Sequence, residues 1–259
     1  MPELIEVESY RTTAERLIGR TISGVEMVDS WMGRGLDRQA VGAALVGTQF
    51  VGAERIGKVL LLATDGGCTL GLRFGMTGRL LVDDTGPIEA LEYGPSNDER
   101  RWERLVISLA DGGSLVLDDP RRLGRIELDP DICDLGPDAA TLSAARLRSA
   151  RSRRSGPIKG VLLDQRRIAG IGNLIADDVF FHTSIAPDRA ADDLAPPDDV
   201  RLAAAVRSSI RRLTANGGSH TGVLQSQRRS LGACPRCGGH LVRRQVAGRT
   251  SVWCARHQR

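Results

Sequence analysis

The sequence predicts an α+β protein in which a β-sandwich with one capping helix is followed by a helical domain and a cysteine-rich hairpin. Short apolar or alternating runs fill the chain to about residue 130, separated by glycine- and aspartate-rich turns. This pattern is typical of a sandwich or barrel. Apolar residues then recur at helical spacing from 158 to about 215. Three of the five cysteines lie in the last 26 residues.

The N-terminal half is expected to begin with one helix, from about Glu6 to Leu17, and to continue as strands. The runs of strand length are KVLLLAT, TLGLRF, GRLLVDD, RLVISLA, GSLVLDD and GRIELD. Turns such as TDGG and LADGGS separate them. Aromatic residues make up only 3% of the chain, so valine and leucine must fill this core.

A segment rich in proline, serine and arginine, residues 131–157, predicts a domain boundary. We therefore expect domains over 1–131, 132–215 and 216–259. In the second, the stretch VRLAAAVRSSIRRLT places apolar residues on one helical face and arginines on another. The preceding PPDDV supplies the proline and acids of a helix start.

The C-terminal segment is a candidate metal site. Cys234-Pro-Arg-Cys237 is followed by 16 residues and then by Cys254-Ala-Arg-His257. Three thiolates and one imidazole at this spacing can close a tetrahedral zinc site, and a closed site is structural. The alternative is two coincidental pairs. The sequence therefore predicts one structural Zn²⁺ that stiffens a hairpin bearing Arg243, Arg244 and Arg249.

Charge is distributed unevenly along the chain. The net charge is +4, yet residues 200–259 hold 12 arginines and no acid, and residues 1–199 hold 24 basic and 32 acidic residues. Such asymmetry is typical of a protein that binds a polyanion, although a solvated basic surface is the alternative. A second cluster comprises Arg146, Arg148, Arg151, Arg153 and Arg154. The chain has 34 arginines but only two lysines, Lys58 and Lys159. These lysines are candidates for roles that arginine cannot fill, namely presenting a compact ammonium or losing a proton, and chance is the alternative.

Several classes of protein are disfavoured. No stretch approaches the roughly 18 consecutive apolar residues of a membrane span. Glu3, Glu6 and Glu8 stand where a signal peptide carries positive charge. Cys68 and Cys133 are isolated, so a disulfide framework is not expected. We therefore expect a cytoplasmic protein with reduced cysteines.

The start of the chain, MPELIEVE, raises a chemical possibility. Removal of Met1 would expose Pro2 as a secondary amine, which can condense with an aldehyde. The alternative is a frayed terminus.

Taken together, these motifs resemble the formamidopyrimidine-DNA glycosylase and endonuclease VIII family of bacterial base-excision repair. MPELIEVE resembles the family's start, and GKVLLL its lysine strand. FGMTGRL and DDPRRLGRI resemble its two DNA-probing loops, and PIKGVLLDQRRIAGIGNLIADDVFF its helix-two-turn-helix. The cysteine-rich tail resembles its zinc finger. The resemblance covers nearly the whole chain.

The resemblance implies a DNA glycosylase with abasic-site lyase activity. Pro2 would attack C1′ of a damaged nucleoside and form a Schiff base, after which β- and δ-elimination would cut the backbone. Glu3 would manage protons at the sugar oxygen or leaving base, the alternative being stabilisation of a helix N-terminus, which also suits Glu6. Lys58 would contact the phosphate next to the lesion or help to protonate the base.

The resemblance also implies the DNA contacts. Met76 would be inserted where the damaged base leaves the stack, Arg121 would pair with the orphaned base, and Leu123 stands where the family usually has phenylalanine. On the phosphate side the implied residues are Lys159, Asn173 and Arg249. The backbone N–H groups at the helix start after GIGN would hold a phosphate.

Two departures bear on the substrate. The stretch between Gly217 and Cys234 leaves little room for the long loop that covers 8-oxoguanine in purine-specific members, and the aromatic-Gly-Arg sequence before the first cysteine pair is absent. Oxidised pyrimidines, formamidopyrimidines and abasic sites therefore remain open. Asp178 also stands where the family usually has glutamate.

The expectation is a monomeric, nucleoid-associated bacterial enzyme that acts on double-stranded DNA containing damaged bases or abasic sites. One alternative is an inactive scaffold of the same fold that recognises damaged DNA. A less favoured alternative is an RNA-binding protein.

Overall fold

A computed structural model describes residues 2–28, 31–33, 35–88, 91, 100–228 and 230–259. The chain divides into two compact units, the first containing Pro2 and residues 6–133, the second containing residues 3–5 and 134–259. The sequence had suggested a separate domain over 216–259. By its contacts this segment belongs to the second unit.

The first unit is a sandwich of two four-stranded antiparallel sheets with the orders β1-β6-β7-β5 and β2-β3-β4-β8. Helix α1 spans Leu4–Ala14, a 3-10 turn follows at Glu15–Leu17, and α2 spans Arg38–Leu45. The strands are β1 Ile22–Met27, β2 Phe50–Ile56, β3 Val59–Thr64, β4 Thr69–Arg73, β5 Arg79–Val82, β6 Glu103–Leu109, β7 Ser114–Asp118 and β8 Arg125–Leu128.

Leucine dominates the core of this sandwich, as the scarcity of aromatic residues required. Leu60 and Leu72 from one sheet and Leu105 and Leu117 from the other are fully buried in one cluster. The six predicted runs form β3 to β8. Strands β1 and β2 and helix α2 were not predicted, and α1 begins two residues before the expected Glu6.

The described residues of the second unit between 134 and 259 form four α-helices and one β-hairpin. The helices are α3 Ala144–Arg151, α4 Ile158–Leu163, α5 Asn173–Thr183 and α6 Pro196–Ala215, and the hairpin pairs β9 Leu241–Val246 with β10 Arg249–Cys254. Helix α6 begins at the predicted proline, and the carboxylate of Asp198 accepts a hydrogen bond from the Ala195 N–H at 3.0 Å. Among the described helices, none combines the length and apolarity needed to cross a bilayer.

Part of the second arginine cluster has a structural role. Asp199, which is fully buried, accepts hydrogen bonds from Arg148 Nε at 2.9 Å and from Arg151 Nε at 2.5 Å. Burial alone would raise the pKa of Asp199, but the hydrogen bonds from the two arginines outweigh it and hold the pKa below its ordinary value. These two arginines therefore join α3 to α6.

We expect Asp199→Asn to lower the free energy of unfolding by about 2–4 kcal/mol at neutral pH, because two guanidinium groups lose their buried counter-charge. The folded-state pKa lies below the unfolded value of about 3.9. The ion pairs therefore stabilise the unit above that pH and are lost as the pH falls through the folded pKa. Urea unfolding across this range measures both effects. The control is Asp192→Asn at an exposed position, and equal behaviour of the two variants would contradict the expectation.

Candidate active site and metal centre

The carboxylate of Glu3 caps the N-terminus of α5. It is fully buried and accepts hydrogen bonds from the N–H groups of Gly172, Leu174 and Ile175 at 2.9, 2.8 and 3.1 Å. Three converging N–H donors and the positive end of the helix dipole stabilise a negative charge at this position. The second residue of the implied catalytic set is therefore an ordered carboxylate.

The glycines of the GIGN motif make room for this arrangement. A Cβ on Gly172 would lie 2.2 Å from the Glu3 carboxyl carbon, and one on Gly170 would lie 2.5 Å from Leu4 Cδ1. Gly170 has a φ of +109°, and its carbonyl accepts the Leu4 N–H at 3.1 Å. The motif thus seats the start of the chain. The backbone donors expected to hold a phosphate are instead taken by Glu3.

Lys159 differs from its expected position at the DNA surface. Its ammonium is completely buried and donates to Asp177 Oδ1 at 2.5 Å and to Ser251 Oγ at 2.6 Å. Burial lowers the pKa of Lys159 below its ordinary value, and Asp177 opposes this effect. In this structure the ammonium connects α4, α5 and β10, and its contact with a phosphate stays a prediction.

Asp177 is the centre of this network. Its second oxygen accepts from Arg228, whose guanidinium also donates to the Thr250 carbonyl at 3.1 Å. The Asn173 amide donates to the same carbonyl at 3.0 Å, while its buried Oδ1 has no hydrogen-bond partner among the described residues. The network fixes β10, and with it the exposed Arg249, beside the start of α5.

Asp178, the residue that departs from the family pattern, organises the segment after α6. Its carboxylate accepts from Arg212 and from the Val223 N–H at 3.3 Å. Burial would raise the pKa of Asp178, but hydrogen bonds from His182 and Ser209 and the charge of Arg212 hold it below its ordinary value. A carboxylate one methylene shorter than glutamate therefore still reaches its partners.

The four predicted metal ligands converge. The Sγ atoms of Cys234, Cys237 and Cys254 and the Nδ1 of His257 all lie within 4.8 Å of one another. The Cys237–Cys254 sulfur distance is 3.5 Å and the Cys234 Sγ–His257 Nδ1 distance is 3.4 Å. Tetrahedral zinc with Zn–S bonds of about 2.3 Å separates its sulfurs by about 3.8 Å, so the donor set fits one metal ion.

In the first unit, Lys58 occupies the two-residue turn between β2 and β3. It is half-buried and follows Gly57, which has a φ of +58° and whose carbonyl accepts from Arg55 at 2.9 Å. The lysine therefore projects from a rigid hairpin turn rather than from within the expected strand.

The two predicted DNA-probing loops pack against each other. A Cβ on Gly75 would lie 2.4 Å from the backbone of Leu123, and Gly75 has a φ of +56°. Met76, beside this contact, is half-buried, whereas Arg121 is exposed and Leu123 is 48% exposed.

Asp119 holds these loops together. It is fully buried, and its carboxylate accepts from Thr77 Oγ1 at 2.6 Å and from the N–H groups of Leu123 and Gly124 at 2.7 Å each. The Arg121 N–H adds a longer bond of 3.2 Å. Sequence reasoning missed this positioning residue, although its place before Pro120 is a recognisable turn signal.

Comparison with known proteins accounts for both units. The model of the formamidopyrimidine-DNA glycosylase N-terminal domain matches residues 1–126, and the model of its H2TH domain matches residues 135–224. A formamidopyrimidine-DNA glycosylase of Halorhodospira halophila is 34% identical over 284 residues, with 100% of both chains covered. The relative from Desulfitobacterium hafniense is 31% identical over 281 residues, with 98% of each chain covered.

The chain belongs to the formamidopyrimidine-DNA glycosylase family. The resemblance inferred from the sequence motifs is thus confirmed, as is the α+β fold. The fold is similar to that of the Lactococcus lactis Fpg protein in complex with DNA containing an abasic site, with a TM-score of 0.83, 23% identity and 100% of both chains covered. A complex of the same protein with DNA containing an oxidised pyrimidine gives a TM-score of 0.83, 24% identity and 99% coverage of each chain.

The position of the Glu3 carboxylate can be tested by adding a side chain at Gly172. We expect Gly172→Ala to displace the carboxylate and to lower the free energy of unfolding by about 2–4 kcal/mol, because three charge-assisted hydrogen bonds are lost. Gly156→Ala is the matched control, since a Cβ there meets nothing within 4 Å. Chemical denaturation of both variants gives the difference, and equal stabilities would contradict this seating.

We expect one metal ion per chain, zinc by its donor set. His257→Cys should retain it and Cys237→Ser should lose it, as measured by elemental analysis of purified protein. Loss of metal should also destabilise the C-terminal hairpin in hydrogen exchange, because metal binding supplies folding free energy. Full metal content in Cys237→Ser would show that these residues are not its ligands.

Proposed function

We propose that this protein is a base-excision-repair DNA glycosylase with abasic-site lyase activity that uses the amine of Pro2 after removal of Met1. The observation that carries the proposal is the anchoring of Glu3 by three backbone N–H groups. Pro2 itself is buried. An anchored neighbour argues against a frayed terminus and supports a nucleophile held in a fixed position.

The chemistry follows from the properties of a secondary amine. An N-terminal amine has an ordinary pKa of roughly 7.7–8.0, so a substantial neutral fraction exists near pH 7. The neutral nitrogen would attack C1′ and expel the damaged base. This displacement leaves a C1′ that carries both the Pro2 nitrogen and O4′. Loss of the nitrogen proton and cleavage of the C1′–O4′ bond, with a proton delivered to O4′, open the sugar and give the iminium. The iminium acidifies the C2′ protons, and successive β- and δ-elimination break the two C–O bonds to phosphate.

In this reaction Glu3 would transfer protons, and Lys58 would contact the phosphate next to the lesion or help to protonate the base. Glu3, held by three backbone N–H groups, would transfer protons at the sugar oxygen or the leaving base and would stabilise positive charge at the sugar. Lys58, on its rigid turn, can present a compact ammonium to the phosphate next to the lesion or to the leaving base.

Duplex DNA containing oxidised bases or abasic sites is the proposed substrate. The paired loops that carry Met76, Arg121 and Leu123 would fill the gap left by the extruded nucleoside, because base extrusion leaves an unstacked partner. Asn173 and Arg249 would contact phosphates, which position the protein without selecting the base. Zinc at the four C-terminal ligands would hold the hairpin that bears Arg249 and take no part in the reaction.

Borohydride trapping on duplex DNA with one abasic site tests the lyase. We expect a covalent adduct on the first residue of protein whose intact mass shows loss of Met1, and no adduct with Pro2→Gly beyond a weak primary-amine background. Absence of an adduct from folded, metal-loaded protein lacking Met1 would refute the lyase. It would favour an inactive scaffold that recognises damaged DNA.

Glu3→Gln separates base removal from strand cleavage. We expect base excision to fall by roughly 10²–10⁴-fold, the range for loss of a general acid–base group, and cleavage at a preformed abasic site to fall less. Glu54→Gln, at an exposed site on β2, is the control. A wild-type excision rate in folded Glu3→Gln, measured in single turnovers, would remove Glu3 from the mechanism.

A further inference from the structure

The second arginine cluster of the sequence separates into two groups in the structure. Arg148 and Arg151 are bound to the buried Asp199. Arg146, Arg153 and Arg154 are exposed, and Arg148 differs from them by its ion pair rather than by its exposure. None of these three belongs to the proposed catalytic or lesion-binding residues, so their role is unassigned.

The exposed group lines a groove on the second unit. A cavity of about 760 Å³ is bordered by Arg146, Arg154, Arg166 and Arg167, and an adjoining cavity of about 300 Å³ shares Arg154 and Arg167 and adds Arg153. We call these two cavities the arginine groove. Its walls come from α3, from the connection to α4, and from the turn between α4 and α5.

The charge of the arginine groove is poorly compensated. Among its lining residues the single acid is Asp164, whose carboxylate lies 3.4 Å from Arg167 Nε. Arg166 lies 3.3 Å from Asp134, but both side chains are more than three-quarters exposed, at 76% and 77%. Such an exposed pair contributes little and exchanges readily for another anion. Five guanidinium groups thus line the groove, against the carboxylate of Asp164 in its lining and that of the exposed Asp134 beside it.

We propose that the arginine groove binds the phosphodiester backbone of a DNA segment outside the lesion site. Guanidinium groups bind phosphate oxygens in bidentate geometry and retain their charge at any physiological pH. The lining contains no aromatic residue and no methionine. Its described lining residues therefore offer no aromatic surface on which bases stack. The concentration of guanidinium groups, rather than its few apolar residues such as Leu135 and Val161, favours a polyanion.

This inference rests on the proposed function for the presence of DNA, but not on its chemistry. A backbone site separate from the lesion site would strengthen binding to undamaged DNA and leave base selection unchanged, because phosphate contacts carry no sequence information. The affinity for DNA should therefore fall more steeply with salt concentration than it would with the lesion-binding residues alone.

The test compares two double variants that remove the same charge. Arg146→Gln with Arg154→Gln alters the groove, and Arg211→Gln with Arg259→Gln alters exposed arginines elsewhere in the second unit. Binding to a fluorescently labelled, lesion-free duplex is measured over a range of salt concentrations. For two lost phosphate contacts we expect the slope of log K against log salt to become shallower by about 1.8 in the groove variant. The control pair should change it by much less.

Equal slopes in the two variants would overturn the proposal, provided that urea unfolding shows both to be folded. The assignment to DNA would also be wrong if the groove variant bound duplex like the control but lost binding to an oligo-glutamate peptide, since the groove would then be a protein-docking site. Borohydride trapping of the same variants at saturating enzyme reads the proposed lyase separately. We expect it to be unchanged in both, so a failed lyase and a failed groove give different results.

Discussion

The contact between the Glu3 carboxylate and the first turn of α5 is the constraint on which the candidate active site depends. A buried carboxylate is tolerated only when its charge is compensated, and here three backbone N–H groups and the helix dipole contribute to the compensation. That arrangement requires glycine at position 172, because any side chain would occupy the space of the carboxylate. The N-terminal sequence and the GIGN turn are thus two halves of one structural unit, although 168 residues separate Glu3 from Gly172.

Single buried aspartates repeat this principle at three other points. Asp119 binds the backbone of one probing loop and the threonine of the other, Asp177 joins three elements through a lysine and an arginine, and Asp199 joins two helices through arginines. In each case one short carboxylate holds two or more segments of the chain together through hydrogen bonds. Hydrogen bonds are directional, so each buried carboxylate fixes the positions of the groups that donate to it.

The sequence was sufficient for features encoded locally. Alternating runs located β3 to β8, and the spacing of Cys234, Cys237, Cys254 and His257 gave a metal-ligand set that the structure brings together. Strand β1, with the sequence ISGVEM, lacks a clear apolar alternation and owes its conformation to pairing with β6. Propensity alone could not find such a strand, because tertiary pairing determined it.

Contacts between residues that are far apart in the sequence could not be predicted. The family resemblance implied a phosphate-side role for Lys159, but nothing near it in the sequence predicted its partners in the fold, Asp177 and Ser251, which lie 18 and 92 residues away. Arg146 and Arg148 differ by two positions, yet one is exposed in a groove and the other is bound to a buried acid. Residues two positions apart on a helix point in different directions, so Arg146 and Arg148 meet different surroundings. Arg148 is paired with Asp199, which lies on another helix.

The near-absence of lysine has a chemical consequence if the proposed action on abasic DNA holds. The ring-opened abasic sugar is an aldehyde, and any unprotonated side-chain amine near it is a competing nucleophile. This chain has two lysines, and one of them, Lys159, is sealed from solvent. Guanidinium groups stay protonated and do not condense with aldehydes under these conditions. Under the proposed function, a cationic surface built almost wholly of arginine would therefore hold a reactive DNA product without becoming cross-linked to it at unintended positions.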